Sequence, residues 1–88
     1  GVTYRVVDDR GQAFAMKEYF PREHAQRGTD WVITPKRSEG DFSRRIYEEG
    51  LRRFVAEGHL LTSFAHPNVC RVVDAFDQAG TSYQVMPL

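Results

Sequence analysis

The sequence predicts an α+β fold, an antiparallel β-sheet with one main amphipathic helix packed on it. Three observations predict it. Residues 1–7 and 13–20 are β-prone runs parted by turn chemistry, and residues 69–76 and 81–86 form a second such pair. Between the pairs, apolar residues recur at helical spacing. With 88 residues the chain is one small domain, large enough for a single modest core.

The first strand is Gly1-Val2-Thr3-Tyr4-Arg5-Val6-Val7, and Asp8-Asp9-Arg10-Gly11-Gln12 turns it back into the second. In Ala13-Phe14-Ala15-Met16-Lys17-Glu18-Tyr19-Phe20-Pro21 the side chains alternate: Phe14 and Met16 face one way, Ala13, Ala15 and Lys17 the other. Pro21 closes the run because it cannot continue a ladder. The two alanines leave a shallow slot with an ammonium at its end, a shape that suits a flat ring with a negative group beside the lysine. An exposed lysine on a solvated face is the plainer reading of this stretch alone.

From Pro21 to Asp41 the pattern breaks, and Trp31-Val32-Ile33-Thr34 fits a brief extended piece inside a connection. Arg22, Arg27, Lys36, Arg37, Arg44 and Arg45 make this region locally basic, which a solvated surface explains as well as a partner does. A helix follows, capped by Asp41 or Ser43. Tyr47, Leu51, Phe54, Val55, Leu61 and Ala65 share one face, with Glu48, Glu49, Arg52 and His59 opposite. Gly50 and Gly58 each weaken it by about 1 kcal/mol against alanine, and Gly58, on the apolar side, permits close packing on a sheet. Glu57 falls at the edge of the packed face, where a carboxylate is costly unless a donor meets it. Arg53, four residues earlier, is the local candidate partner and Lys17 the distant one. Ala65-His66-Pro67-Asn68 ends the helix, Asp77-Gln78-Ala79-Gly80 turns between the last two strands, and Thr81-Ser82-Tyr83-Gln84-Val85-Met86 completes the sheet.

Twelve basic residues balance twelve acidic ones, which gives no pull toward nucleic acid or anionic membrane. A single cysteine excludes an internal disulfide framework and suits a reducing compartment, so a cytoplasmic location is expected. No apolar run is long enough to cross a bilayer. His24, His59 and His66 lack ligand spacing, so no metal site is expected within this chain, and Cys70 reads as a small buried hydrophobe.

What remains is a combination: a strand lysine in Ala15-Met16-Lys17-Glu18-Tyr19-Phe20-Pro21, a helix glutamate in Arg53-Phe54-Val55-Ala56-Glu57, the turn His66-Pro67-Asn68-Val69 and the strand Tyr83-Gln84-Val85-Met86, all after Gly1-Val2-Thr3-Tyr4. In this order the chain resembles the amino-terminal lobe of a bacterial eukaryotic-like Ser/Thr protein kinase, over its whole length. The resemblance implies that Lys17 binds the α- and β-phosphates of ATP and is held by an ion pair to Glu57. It implies that Gly1 is the last glycine of the phosphate-covering loop, and that Thr3 and Ala15 wall the adenine. Cys70 would lie toward the back of that pocket, Met86 at the gatekeeper position, and Pro87 and Leu88 at the start of the hinge. Leu61 and Val72 would belong to the hydrophobic spine that couples helix to large lobe.

Some features depart from the pattern. The first strand and the earlier glycines of the loop are missing, Thr3 stands where valine is usual, and Pro87 lacks an N–H. The His-Arg-Asp and Asp-Phe-Gly strings, which supply the base and the Mg²⁺ ligands, do not occur in this chain. The expectation is therefore an ATP-binding small lobe, residues 1–88, that becomes a protein kinase only when joined to its own carboxy-terminal lobe. ATP and a protein substrate are the implied partners, with Mg²⁺ held outside this chain. A pseudokinase lobe acting as a nucleotide-binding or protein-interaction scaffold is the alternative, and an unrelated small α+β interaction module a further one.

Overall fold

The computed structural model describes residues 1–37, 39–63 and 71–88. Among these residues, six strands and one long helix succeed one another in the order β1 (Val2–Val7), β2 (Ala13–Glu18), β3 (Ala25–Arg27), β4 (Ile33–Pro35), α1 (Phe42–Thr62), β5 (Asp74–Gln78) and β6 (Thr81–Pro87). The main sheet is antiparallel throughout, with strand order β1-β2-β6-β5. The α+β class and the helix-on-sheet layer follow as the sequence predicts.

Each hairpin is closed by local chemistry. Asp8 Oδ1 accepts from the backbone N–H groups of Arg10 and Gln12, and Gly11 takes a left-handed φ of 82°. Between β5 and β6 the turn is tighter than the sequence suggests. Gln78 still belongs to β5, and only Ala79 (φ 54°) and Gly80 (φ 79°) turn the chain. Two successive positive φ values make the primed turn whose twist matches the flanking strands. Strand β5 starts at Asp74, later than the β-prone run implies, although Val73 already donates to the Val85 carbonyl.

The connection after β2 holds a second sheet that the sequence shows only in part. Strands β3 and β4 pair through Ala25↔Pro35, Gln26↔Thr34 and Arg27↔Ile33. Trp31 lies in the turn before β4, at φ 66° and largely exposed, not in the strand. Ala25 and Ile33, both 2% exposed, join Tyr47 of α1 in the core, flanked by Tyr19, Phe20 and Leu51.

Helix α1 begins after Asp41, whose backbone is left-handed and whose side chain makes no capping bond. Ser43 lies inside the first turn and is buried, its hydroxyl against His24 Nδ1 at 3.1 Å. Tyr47, Phe54 and Gly58 are the buried residues of the apolar stripe, with Leu51, Val55 and Leu61 half-buried beside them. The predicted face is present, but narrower than its residue list. Ala65 and the turn through His66, Pro67 and Asn68 lie outside the described residues.

Candidate functional site

Strand register decides which side chains meet. Thr3 stands opposite Lys17, Arg5 opposite Ala15, and on the other side of β2, Gln84 opposite Lys17 and Met86 opposite Ala15. Opposed residues of an antiparallel pair point to the same side. Thr3, Ala15, Lys17, Gln84 and Met86 therefore share one face of the sheet, along with Ala75 of β5. This is the face that α1 covers at one end. A Cβ added at Gly58 would stand 3.2 Å from Ala75 Cβ and 3.4 Å from Gln84 Cγ, so the helix backbone rests directly on β5 and β6. Toward β1 the face is open: Thr3 and Lys17 are exposed and Ala15 half-buried. The small-residue slot with a lysine at its end is thus a feature of the folded sheet.

Gly1 closes in on the same end. A Cβ there would come 2.8 Å from the Glu18 carbonyl, which leaves no room for a side chain. A recess of 240 Å³ lies between Gly1, Lys17, Tyr19 and Phe54. At the other end of the slot, Met86 is half-buried while Pro87 and Leu88 are exposed. Val72 is buried, at 2% exposure, and Leu61 half-buried. Cys70 lies outside the described residues.

The ion pair expected between Lys17 and Glu57 is not formed. Lys17 Nζ lies 6.0 Å from the centre of the Phe54 ring, one helical turn short of Glu57, and among the described residues it has no anionic partner. Glu57 is exposed at the rim of α1, and its Oε1 accepts from Gln84 Nε2 at 3.5 Å. The physical reason is placement: α1 rests on β5 and β6 through Gly58, Ala75 and Gln84, and Lys17 stands one strand further out on β2. The buried Gln84 amide, nearer the helix, meets one of the two carboxylate oxygens. Arg53, the local candidate for Glu57, pairs instead with Glu49 at 2.8 Å. A dipolar contact thus stands where a salt bridge was expected.

Sequence reasoning missed two polar groupings. Gln84 is the first: 2% exposed, it donates both to the Phe54 carbonyl (3.2 Å) and to Glu57. Its only sequence signal is a polar residue alternating with Tyr83 and Val85. The second lies on the opposite face of the sheet, around Glu18. This carboxylate is 2% exposed and accepts from Arg27 (2.6 Å), Tyr83 Oη (2.8 Å) and Tyr4 Oη (3.0 Å). Burial pushes its pKa up, but Arg27 and the two phenols outweigh burial and hold it below the usual carboxylate value. Burial, reinforced by the Glu18 charge, pushes Tyr83 up to about 12. No spacing in the sequence announces this cluster, because its members come from β1, β2, β3 and β6.

No protein-family model matches the chain, and no curated protein matches it. Among solved structures, the apo form of PpkA-294, from a bacterial Ser/Thr kinase, superposes with a TM-score of 0.84 at 31% identity. The match covers 98% of this chain and 30% of that one, so the chain spans less than a third of the protein it resembles.

Proposed function

We propose that this chain, which has the fold of the amino-terminal lobe of a bacterial Ser/Thr protein kinase, is the ATP-holding part of such an enzyme. The observation that carries the reading is the shared sheet face on which Thr3, Ala15 and Lys17 stand in one open slot, with Met86 beside Ala15. Small side chains at 3 and 15 leave space for a planar base. A larger residue at 15 would fill that space.

Thr3 and Ala15 cover the adenine, the backbone at Met86, Pro87 and Leu88 borders its edge, and the Gly1 backbone lies near the phosphates. Lys17 offers its ammonium to the α- and β-phosphate oxygens. Phosphoryl transfer demands charge neutralisation and alignment more than covalent help, so one fixed cation on a rigid strand contributes directly. The large lobe supplies the base, the Mg²⁺ ligands and the protein substrate's docking surface. In the reaction the bond from the γ-phosphorus to the β,γ-bridging oxygen breaks, a serine or threonine oxygen takes its place on phosphorus, and ADP departs. The hydroxyl proton goes to a base of the large lobe.

The test is made on the full-length protein with radiolabelled ATP. Lys17→Met is expected to lower transfer by about 100-fold or more, the scale of removing one transition-state charge partner, with the thermal midpoint unchanged. Undiminished transfer overturns the reading. The pseudokinase alternative, a nucleotide-binding scaffold without transfer, draws support from one observation, the unformed pair between Lys17 and Glu57. That alternative requires the full-length wild type to bind nucleotide while transferring nothing.

A further inference from the structure

Gln84 is an unusual residue for its place. It stands in a central strand of the sheet, faces the helix, and is 2% exposed. An apolar side chain of similar volume would fill the space without the desolvation cost of an amide. The amide is instead matched to two acceptors on α1, the Phe54 carbonyl at 3.2 Å and Glu57 Oε1 at 3.5 Å. It is also the direct cross-strand neighbour of Lys17, on the same face.

From this juxtaposition we infer that Gln84 is a positioning residue, which tethers the Glu57 carboxylate over β6 so that Lys17 can close on its second oxygen without movement of the helix. The inference rests on the ATP-site reading above and adds to it a residue that acts through Glu57. Three features of the geometry support it. Gln84 engages Oε1, and among the described residues Oε2 has no partner. Lys17 Nζ lies 6.0 Å from the centre of the Phe54 ring, and Phe54 precedes Glu57 by three residues on the same helix, so a swing of the lysine along one helical turn leads toward the carboxylate. The helix itself has no slack at this level, because Gly58 lies against Ala75 and Gln84. The second bond, to the Phe54 carbonyl, fixes the amide's orientation and leaves its other donor proton aimed at the carboxylate.

The test uses the full-length protein, reading kcat/KM for ATP and, independently of turnover, the Kd of a fluorescent ATP analogue. Gln84→Met keeps the volume and removes the donor. It is expected to lower kcat/KM about tenfold, the effect of one hydrogen bond to a charged group, and to weaken analogue binding severalfold without lowering the thermal midpoint. In a Glu57→Ala background the same substitution is expected to change the Kd less than twofold, because both changes then act through one missing carboxylate. Gln84→Glu has nearly the same size but turns the donor into an anion; it is expected to lose more than Gln84→Met, and it carries the same comparison should the methionine variant not fold. A change under twofold in the wild-type background, or an equal loss in both backgrounds, overturns the inference. If Lys17→Met abolishes transfer while Gln84→Met is silent, only the positioning role fails. If Lys17→Met is itself silent, the ATP-site reading fails.

Discussion

Lys17 and Glu18 are neighbours on β2 that serve opposite faces of one sheet. Lys17 reaches the open slot face, while Glu18 is sealed on the other side with Arg27, Tyr4 and Tyr83. A buried carboxylate that has found a cation and two phenols keeps its charge on folding, so its pKa is held below the usual 4.5. The stability it contributes is present above that value and is lost as pH falls through the depressed folded pKa. Tyr83 works in the other direction. Its pKa rises from 10 to about 12, so its contribution is full below pH 10 and is lost as pH climbs through 12. Urea midpoints measured between pH 9 and about pH 12 are expected to fall for the wild type and to fall less steeply for Tyr83→Phe. Identical slopes would remove Tyr83 from the alkaline limb. This cluster was illegible in the sequence because each member, taken alone, is an ordinary strand residue.

At the scale of the element, α1 carries the site's geometry, and its glycines mark where. By propensity, Gly50 should improve on replacement with alanine, by about 1 kcal/mol in an exposed helix. Here a Cβ would collide with the Tyr19 hydroxyl, which donates to the Tyr47 carbonyl at 2.8 Å and whose ring packs on Tyr47 and Phe54. Gly50→Ala is therefore expected to lower stability by about 1–2 kcal/mol in denaturant unfolding, since overpacking and a lost bond exceed the propensity gain. A gain in stability would show that Tyr19 yields freely. The helical period was legible in the sequence, and so was the role of Gly58 as a contact point with the sheet. The cap was not: Asp41 occupies the N-cap in a left-handed conformation without a side-chain bond, while Ser43 turns inward to His24. Propensity names good capping residues, but tertiary neighbours decide whether the side chain is free to cap.

Over the whole molecule, α1 is held at two places. Its first half packs on the β3–β4 hairpin through Tyr47, Ala25 and Ile33, and its second half on the main sheet through Gly58, Ala75 and Gln84. The turn between β5 and β6 links the two, since the Ile33 N–H donates to the Ala79 carbonyl at 2.8 Å and the Tyr47 hydroxyl to the Gly80 carbonyl at 2.5 Å. Ile33 is 2% exposed and Leu60 62% exposed. Ile33→Ala is expected to cost about 3 kcal/mol, by cavity formation, whereas Leu60→Ala stays within about 0.5 kcal/mol. Equal effects in chemical denaturation would contradict this division of the core. No helix among the described residues is long and apolar enough to cross a membrane.

The sequence by itself determined the α+β class, both long hairpins, the long helix and the small-residue face around Lys17, because these follow from periods of 2 and 3.6 and from turn residues that act locally. Tertiary structure alone decided the β3–β4 hairpin, whose three-residue strands are too short to show a period. It also decided the sealed Glu18 cluster and the partner of Glu57. Sequence spacing placed Glu57 at the edge of the helix face and Lys17 on a strand, but the distance between them depends on how closely α1 rests on the sheet. That is governed by Gly58 against Ala75 and Gln84. With the helix seated there, the buried Gln84 amide meets one oxygen of Glu57, while Lys17, which the kinase resemblance had paired with Glu57, stands one strand further out beside Phe54.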